Sequence, residues 1–279
     1  ARIYFTKPFK GLDAEMLYDL SCFNPTKVVF IDTAPMPGLV TAIQQVRDNN
    51  PGVEIFIRDH HDVAGDPQTD RDREIRNAAE TVREMLGNNA IISNRQDNPA
   101  CSSLIERGEF AADLVAIIAD PDPDGLTASM KAINVGVYPE LDTDAAILDG
   151  ARAQQTKEAG LSDFALLLVK GMATLPPYDP ANPGPSDKAK QNLFHEFLRA
   201  ANFDQEAYQS LASKVEAYEK GVAEAKRLAG TAEETLSGVW VVNTANSRYD
   251  LTTLASDLEG RPGCKVTVVV KTVGPIAAK

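Results

Sequence analysis

Short apolar runs alternate with stretches of helical periodicity over the first two-thirds of the chain, the layout of a parallel α/β domain. Lys27-Val28-Val29-Phe30-Ile31 reads as a buried strand that stops at Asp32. Leu39 to Arg47 has a helical pattern, followed by the turn Asn49-Asn50-Pro51-Gly52. Val53 to Ile57 gives a second strand, ending at Arg58-Asp59-His60-His61. Asp62 to Arg73 reads as loop, about Arg73 to Leu86 as helix, Ala90 to Ile92 as a short strand and Ala100 to Gly108 as helix. Asp113 to Ala119 is a third clear strand, running into Asp120-Pro121-Asp122-Pro123-Asp124-Gly125 and a helix from about Leu126. Ligands of open parallel sheets bind beyond the carboxyl ends of the strands. Asp32, Asp59-His60-His61 and the Asp120–Asp124 run all fall at such ends.

A proline-rich segment, Leu175 to Pro185, reads as a boundary. A long, partly amphipathic helical region follows from Ser186 to about Ala229. The remainder reads as strand (Val239 to Val242), helix (Leu251 to Leu258) and strand (Lys265 to Val270). The predicted fold class is α/β, a mostly parallel sheet domain over residues 1–175 with a second, smaller α/β domain within 176–279. A length of 279 residues exceeds what one core usually fills and agrees with that division.

Charge narrows the partners. With 40 acidic against 28 basic residues the net charge is -12, which repels long nucleic acids unless a basic groove compensates. Clustered carboxylates for a divalent cation, by contrast, come easily to such a chain. The three cysteines, Cys22, Cys101 and Cys264, are widely spaced and form no Cys-x-x-Cys pair, so free, mostly buried thiols in a reducing compartment are expected. There is no apolar run of bilayer length and no signal-peptide layout; the expected location is cytoplasmic, with no membrane partner. Walker and Gly-x-Ser-x-Gly patterns are absent, which removes P-loop and serine-esterase chemistry.

The loop Asp120-Pro-Asp122-Pro-Asp124-Gly125 carries alternate carboxylates that can converge on a hard or borderline divalent cation. An EF-hand does not fit: the twelfth position is Lys131 rather than Glu, the loop follows a strand, and two prolines stiffen it. Two of the chain's three histidines are adjacent, in Asp59-His60-His61-Asp62. At a strand end neighbouring side chains point to opposite sides, so one ring can ligate a metal while the other faces substrate or a hydrogen-bond partner. His195 reads as a helix-surface residue and Trp240 as core.

Asp59-His60-His61 matches the motif that names the DHH phosphoesterases. Asp120 to Ser129 resembles their Asp-x-Asp-x-Asp-Gly-x-Thr motif in its RecJ-type exonuclease form. Val28 to Asp32 resembles the strand carrying their metal-bridging aspartate, Ala100 to Ile105 the helix start that follows Asp-His-His, and Ala145 to Gly150 the segment ending in their last ligand. The resemblance covers roughly residues 27–160 with a different motif order, since the aspartate loop follows Asp-His-His here. A circularly permuted domain accounts for this, because a site built from strand ends does not depend on chain order; the strands ending at Asp32 and Asp120 should then be neighbours. The family's upstream histidine corresponds to Ile118, with Asp120 in its place.

The resemblance implies two Mn²⁺ or Mg²⁺ ions. Asp32 would bridge them, Asp122 with Asp120 would hold one, and Asp124, His60 and Asp149 the other, with Asp142 or Asp144 as alternatives to Asp149. Asp59 would orient His60 or act behind the ligands, and His61 would face the phosphate or leaving group, while a water between the ions attacks phosphorus. Asp32, Asp59 and His61 are thus the expected catalytic residues. Gly125 is expected to open a helix whose N-terminus favours an anion. The segment Val239 to Lys279 loosely resembles the family's substrate-binding domain, and Arg248, Lys271 and Asn246 are candidates for phosphate contact. The expected activity is hydrolysis of phosphodiesters in short oligonucleotides, nucleotides or cyclic dinucleotides. The alternatives are a pyrophosphate or polyphosphate hydrolase, and a non-catalytic metal- or nucleotide-binding module.

Overall fold

A computed structural model describes residues 1–6, 11–150, 160–175, 184–244 and 251–270. The chain divides into two compact units, one of residues 1–168 with 176–208 and the other of residues 169–175 with 209–279.

The first unit is built on a five-stranded, wholly parallel sheet. Its strands are β1 (Arg2–Phe5), β2 (Lys27–Ile31), β3 (Glu54–Asp59), β4 (Ala90–Ile92) and β5 (Val115–Ala119), in the order β1-β5-β2-β3-β4. β5 is buried at every residue and β2 at all but Lys27, as central strands covered on both faces must be. Val28 and Phe30 of β2, Ile55 and Ile57 of β3, and Ala116 and Ile118 of β5 face one way. They pack under Leu20, Leu39, Ile43, Val46 and Val82. Those side chains belong to α1 (Ala14–Phe23), α2 (Pro37–Asn49) and α3 (Asp70–Leu86). The alternate residues point to the opposite face, where α4 (Pro123–Ala132) runs against β2 and β5. Local signals start these helices. Asp13 caps α1, and Thr69 with Asp72 forms a reciprocal capping box on α3. Asp122 caps α4, with Pro123 in its first turn.

The helices α5 (Leu141–Gly150), α6 (Asp163–Ala173) and α7 (Gly184–Ala201) follow. The second unit holds most of α8 (Gln205–Gly230). It also holds a sheet of β6 (Glu233–Leu236), β7 (Val239–Asn243) and β8 (Val266–Val270), with α9 (Leu251–Glu259). β6 pairs antiparallel with β7 and β7 parallel with β8, so β7-α9-β8 is a βαβ crossover. Ala225, Leu228, Val242, Leu254 and Leu258 form its core.

The α/β class and the parallel sheet agree with the sequence reading, and β5 lies beside β2 as expected. Several particulars differ. β1, α1, α5, α6 and β6 were not anticipated. α3 begins at Asp70 because the capping box starts it there. Ala100 to Gly108 is not a full helix: only Cys101–Leu104 form a 3-10 turn. The helical region from Ser186 is two helices, α7 and α8, broken at Asn202-Phe203-Asp204, where Phe203 has a left-handed backbone (φ 64°). α7 groups with the first unit. Of the cysteines, all free, only Cys101 is buried; Cys22 is exposed and Cys264 intermediate. Trp240 is partly covered, with the Arg261 guanidinium 4.3 Å above its ring. His195 lies on the exposed side of α7. Among the described residues no helix is long and apolar enough to cross a membrane.

Candidate metal centre

Parallel pairing brings Ile31 opposite both Arg58 and Ala119, so the chain leaves β2, β3 and β5 at one edge, side by side. Backbone bonds continue the sheet one step further, from Asp32 N to Arg58 O (2.9 Å) and from Asp120 N to Ile31 O (3.2 Å). Asp32 then adopts a left-handed backbone, φ 53°, while wholly buried. Aspartate tolerates that conformation better than most residues, but a strained turn at a strand end marks a constrained position. After β5, the Asp122 carboxylate accepts from Gly125 N at 2.9 Å and folds the loop into α4. Gly125 therefore lies inside the first turn of α4 rather than opening it. It is required for space: a Cβ there would lie 2.4 Å from Asp120 O.

Ligand atoms converge at this edge in three overlapping groups, Asp32-His60-His61, His60-Asp124-Asp149 and Asp32-Asp120-Asp122, each within 4.8 Å. His60 Nε2 lies 3.3 Å from Asp32 Oδ1 and 3.2 Å from Asp124 Oδ2, all buried. His60 Nδ1 is 2.8 Å from the Asn98 carbonyl, which can only accept; the proton is therefore on Nδ1 and Nε2 carries a lone pair. That lone pair faces carboxylate oxygens. Both Asp32 oxygens and His60 Nε2 are buried with no hydrogen-bond partner among the described residues. Buried acceptors this close together are costly unless a proton or a metal cation lies between them. The donors, mixed carboxylate oxygen and imidazole nitrogen, suit a borderline or hard divalent ion. The residues present thus fit a metal.

Protonation equilibria point the same way. Burial pushes the Asp32 carboxyl well up, and the charges of Asp124, Asp59, Asp120 and Asp149 push it further. Burial raises Asp124 to about 7, against the bonds it accepts from Cys101 N (2.9 Å to Oδ2) and Ser102 N. Asp149 is raised by burial, with Arg95 and His61 opposing. Burial lowers His60 to about 4 and keeps its ring neutral, as a ligand must be.

His61 turns the other way. Its Nδ1–H meets Asp59 Oδ2 at 2.9 Å, and its backbone N–H donates to Asp59 Oδ1 at 2.7 Å. Asp59 therefore positions His61, not His60, whose orienting partner is the Asn98 carbonyl. Nδ1 of His61 also lies 3.5 Å from Asp32 Oδ1, but its proton is committed to Asp59, so His61 is not well set to ligate. Its Nε2 accepts from the Arg95 guanidinium at 2.7 Å. Arg95 was not anticipated. It sits in a turn made by Asn94, whose Oδ1 accepts from Gln96 N (3.0 Å) and Asp97 N (3.1 Å), and it also donates to Asp149 Oδ1 at 3.0 Å. A polar turn between two elements carries no signal for such a role.

Of the three aspartates on α5, Asp149 is the one in the cluster. Asp142 is held by Lys131 (2.7 Å) and Ser102 (2.7 Å), and Asp144 by Ser162 (2.6 Å). Both fasten α5. The candidate phosphate contacts Asn246, Arg248 and Lys271 lie outside the described residues. No protein-family model matches the chain, and no curated protein matches it.

Proposed function

We propose that the protein is a two-metal-dependent phosphoesterase, holding Mn²⁺ or Mg²⁺ and hydrolysing phosphodiester bonds in short oligonucleotides, nucleotides or cyclic dinucleotides. The observation that carries this reading is the set of buried, unpartnered acceptors on Asp32 and His60, shared among three ligand groups at one sheet edge. The likeness of Asp59-His60-His61 and Asp120 to Ser129 to the DHH phosphoesterase motifs supplies the reaction class. In this reading Asp120 and Asp122 would hold one ion and His60, Asp124 and Asp149 the other, with Asp32 belonging to a group on either side.

Bound there, divalent cations would polarise the phosphoryl group and lower the pKa of a nearby water. The chain's own contribution is positioning. Asn98 fixes the His60 tautomer, Asp32 is clamped by its turn, and Asp59 presents His61 with its Nε2 outward. Gly125 lets α4 close against Asp120 so that the carboxylates of its cap, Asp122, and of its first turn, Asp124, reach the cluster.

The experiment is a manganese-supplemented panel of diester, dinucleotide, cyclic dinucleotide and pyrophosphate substrates, run on wild type and Asp32→Ala. Wild type should cleave a diester and the variant should be inactive yet folded, since removing a buried like charge relieves repulsion. Cleavage of pyrophosphate alone would move the substrate to phosphoanhydrides. An Asp32→Ala protein with full manganese-dependent activity would place the chemistry elsewhere.

A further inference from the structure

We propose that Arg95 exchanges partners: it holds Asp149 while the metal position is empty and turns to an anionic phosphoryl group once a cation takes Asp149. This rests on the metal-dependent reading above and adds a substrate-gripping residue to it.

One guanidinium nitrogen of Arg95 reaches His61 Nε2 at 2.7 Å and Asp149 Oδ1 at 3.0 Å. Asp149 also belongs with His60 and Asp124 to a group whose ligand atoms lie within 4.8 Å of one another. A divalent ion in that group and the Arg95 charge would compete for the same carboxylate. Two cations on one buried aspartate repel strongly at such separation, and the divalent ion carries the larger charge. The two sides also differ in freedom. Asp149 is fixed on α5 and its side chain is 5% exposed, whereas that of Arg95 is 40% exposed on a loop turn. Arg95 is the partner that can leave.

Where it goes follows from its other contact. His61 Nε2 faces outward on an Asp59-held ring, and Arg95 is already against it, so a small swing keeps the guanidinium beside His61 at the mouth of the cluster. A planar fork of donors matches two non-bridging phosphoryl oxygens, a geometry that lysine lacks. Arg95 thus stands in for the missing positive charge in the metal-free protein and becomes an anion site in the loaded one. Metal and phosphate binding are linked through it.

The test uses full-length protein freed of metal by chelation, with calorimetric titration of Mn²⁺ and then of inorganic phosphate into manganese-loaded protein. Relative to wild type, Arg95→Ala should bind the ion that uses Asp149 roughly fivefold more tightly, having lost its competitor. It should also bind phosphate at least about tenfold more weakly. Arg95→Lys should keep the wild-type manganese affinity but share the loss of phosphate affinity. A purely structural role would weaken both ligands in Arg95→Ala. Manganese affinity unchanged or lowered in that variant, or phosphate affinity unchanged, overturns the proposal. Wild-type protein that takes up no Mn²⁺ at all would instead overturn the metal-dependent reading beneath it.

Discussion

Replacing Asp124 by asparagine should stabilise the metal-free protein, and increasingly so as pH rises. Asp124 is buried and its carboxyl is raised from 3.8 to about 7, chiefly by burial. A group with a raised folded-state pKa binds more protons folded than unfolded between those values. Stability is therefore fully present below about 3.8 and is lost as pH climbs through 7. The whole loss from this one carboxylate corresponds to about 4 kcal/mol, of which about 2–3 kcal/mol falls between pH 5 and pH 8. An asparagine side chain cannot ionise, so the stability difference between variant and wild type should widen by that amount over the same interval. Whatever asparagine does to the bonds from Cys101 N and Ser102 N cancels in the comparison. The assay is urea denaturation of both proteins in chelator at pH 5 and pH 8. Adding Mn²⁺ at pH 8 should reverse the order, because a ligand that binds only the folded state stabilises wild type by mass action while the variant has lost a ligand oxygen. A difference that stays constant within about 0.5 kcal/mol from pH 5 to pH 8 would refute the reasoning that burial raises this carboxyl.

Two further substitutions probe the supports of the site. Gly125→Ala gains helix propensity of about 1 kcal/mol but drives a methyl against the Asp120 carbonyl, an overpacking cost of about 1–3 kcal/mol, so a net loss is expected in the denaturation midpoint. A variant as stable as wild type would mean the loop yields easily. Asp59→Asn can no longer accept from both the backbone N–H and Nδ1–H of His61, so turnover should fall about 10–100-fold while manganese affinity, measured by calorimetry, stays near wild type. Equal losses in both quantities would return Asp59 to the support of His60.

What could be read from the sequence depended on how strongly burial writes itself into composition. β5 and all of β2 after Lys27 are apolar runs because a parallel sheet covers both faces, β3 contributes the shorter run Ile55-Phe56-Ile57, and each run stops just before the polar residues of the cluster, so the acidic edge was legible in the sequence. β1 is an edge strand beginning at the exposed Arg2, and four residues of mixed polarity leave no run to detect. The helical pattern over Ala100 to Gly108 is overridden by tertiary partners. Asp124 takes the Cys101 and Ser102 amides, and the Ser102 side chain turns to Asp142, so the turn stops after Leu104. The choice among Asp142, Asp144 and Asp149 was open because the resemblance pointed to this segment without saying which carboxylates Lys131 and Ser162 would hold. Asn98 acts through its backbone carbonyl, which no side-chain reading detects. Arg95 and Asp149 are 54 positions apart and meet only through the fold.

The strand order β1-β5-β2-β3-β4 also carries a consequence for biosynthesis. Arg2 of β1 pairs with Ala116 of β5, and Ile31 beside Asp32 pairs with Ala119 beside Asp120. At about 5–20 residues per second, β1 waits on the order of ten seconds for β5, its neighbour in the described sheet, to be translated. During that interval β2 and β3 can pair, but Asp32 and His60 have not yet met Asp122 and Asp124. The mutual repulsion of the carboxylates is deferred to the moment β5 slides between β1 and β2. Closure of the sheet and assembly of the charged cluster are thus a single late event in the life of the nascent chain.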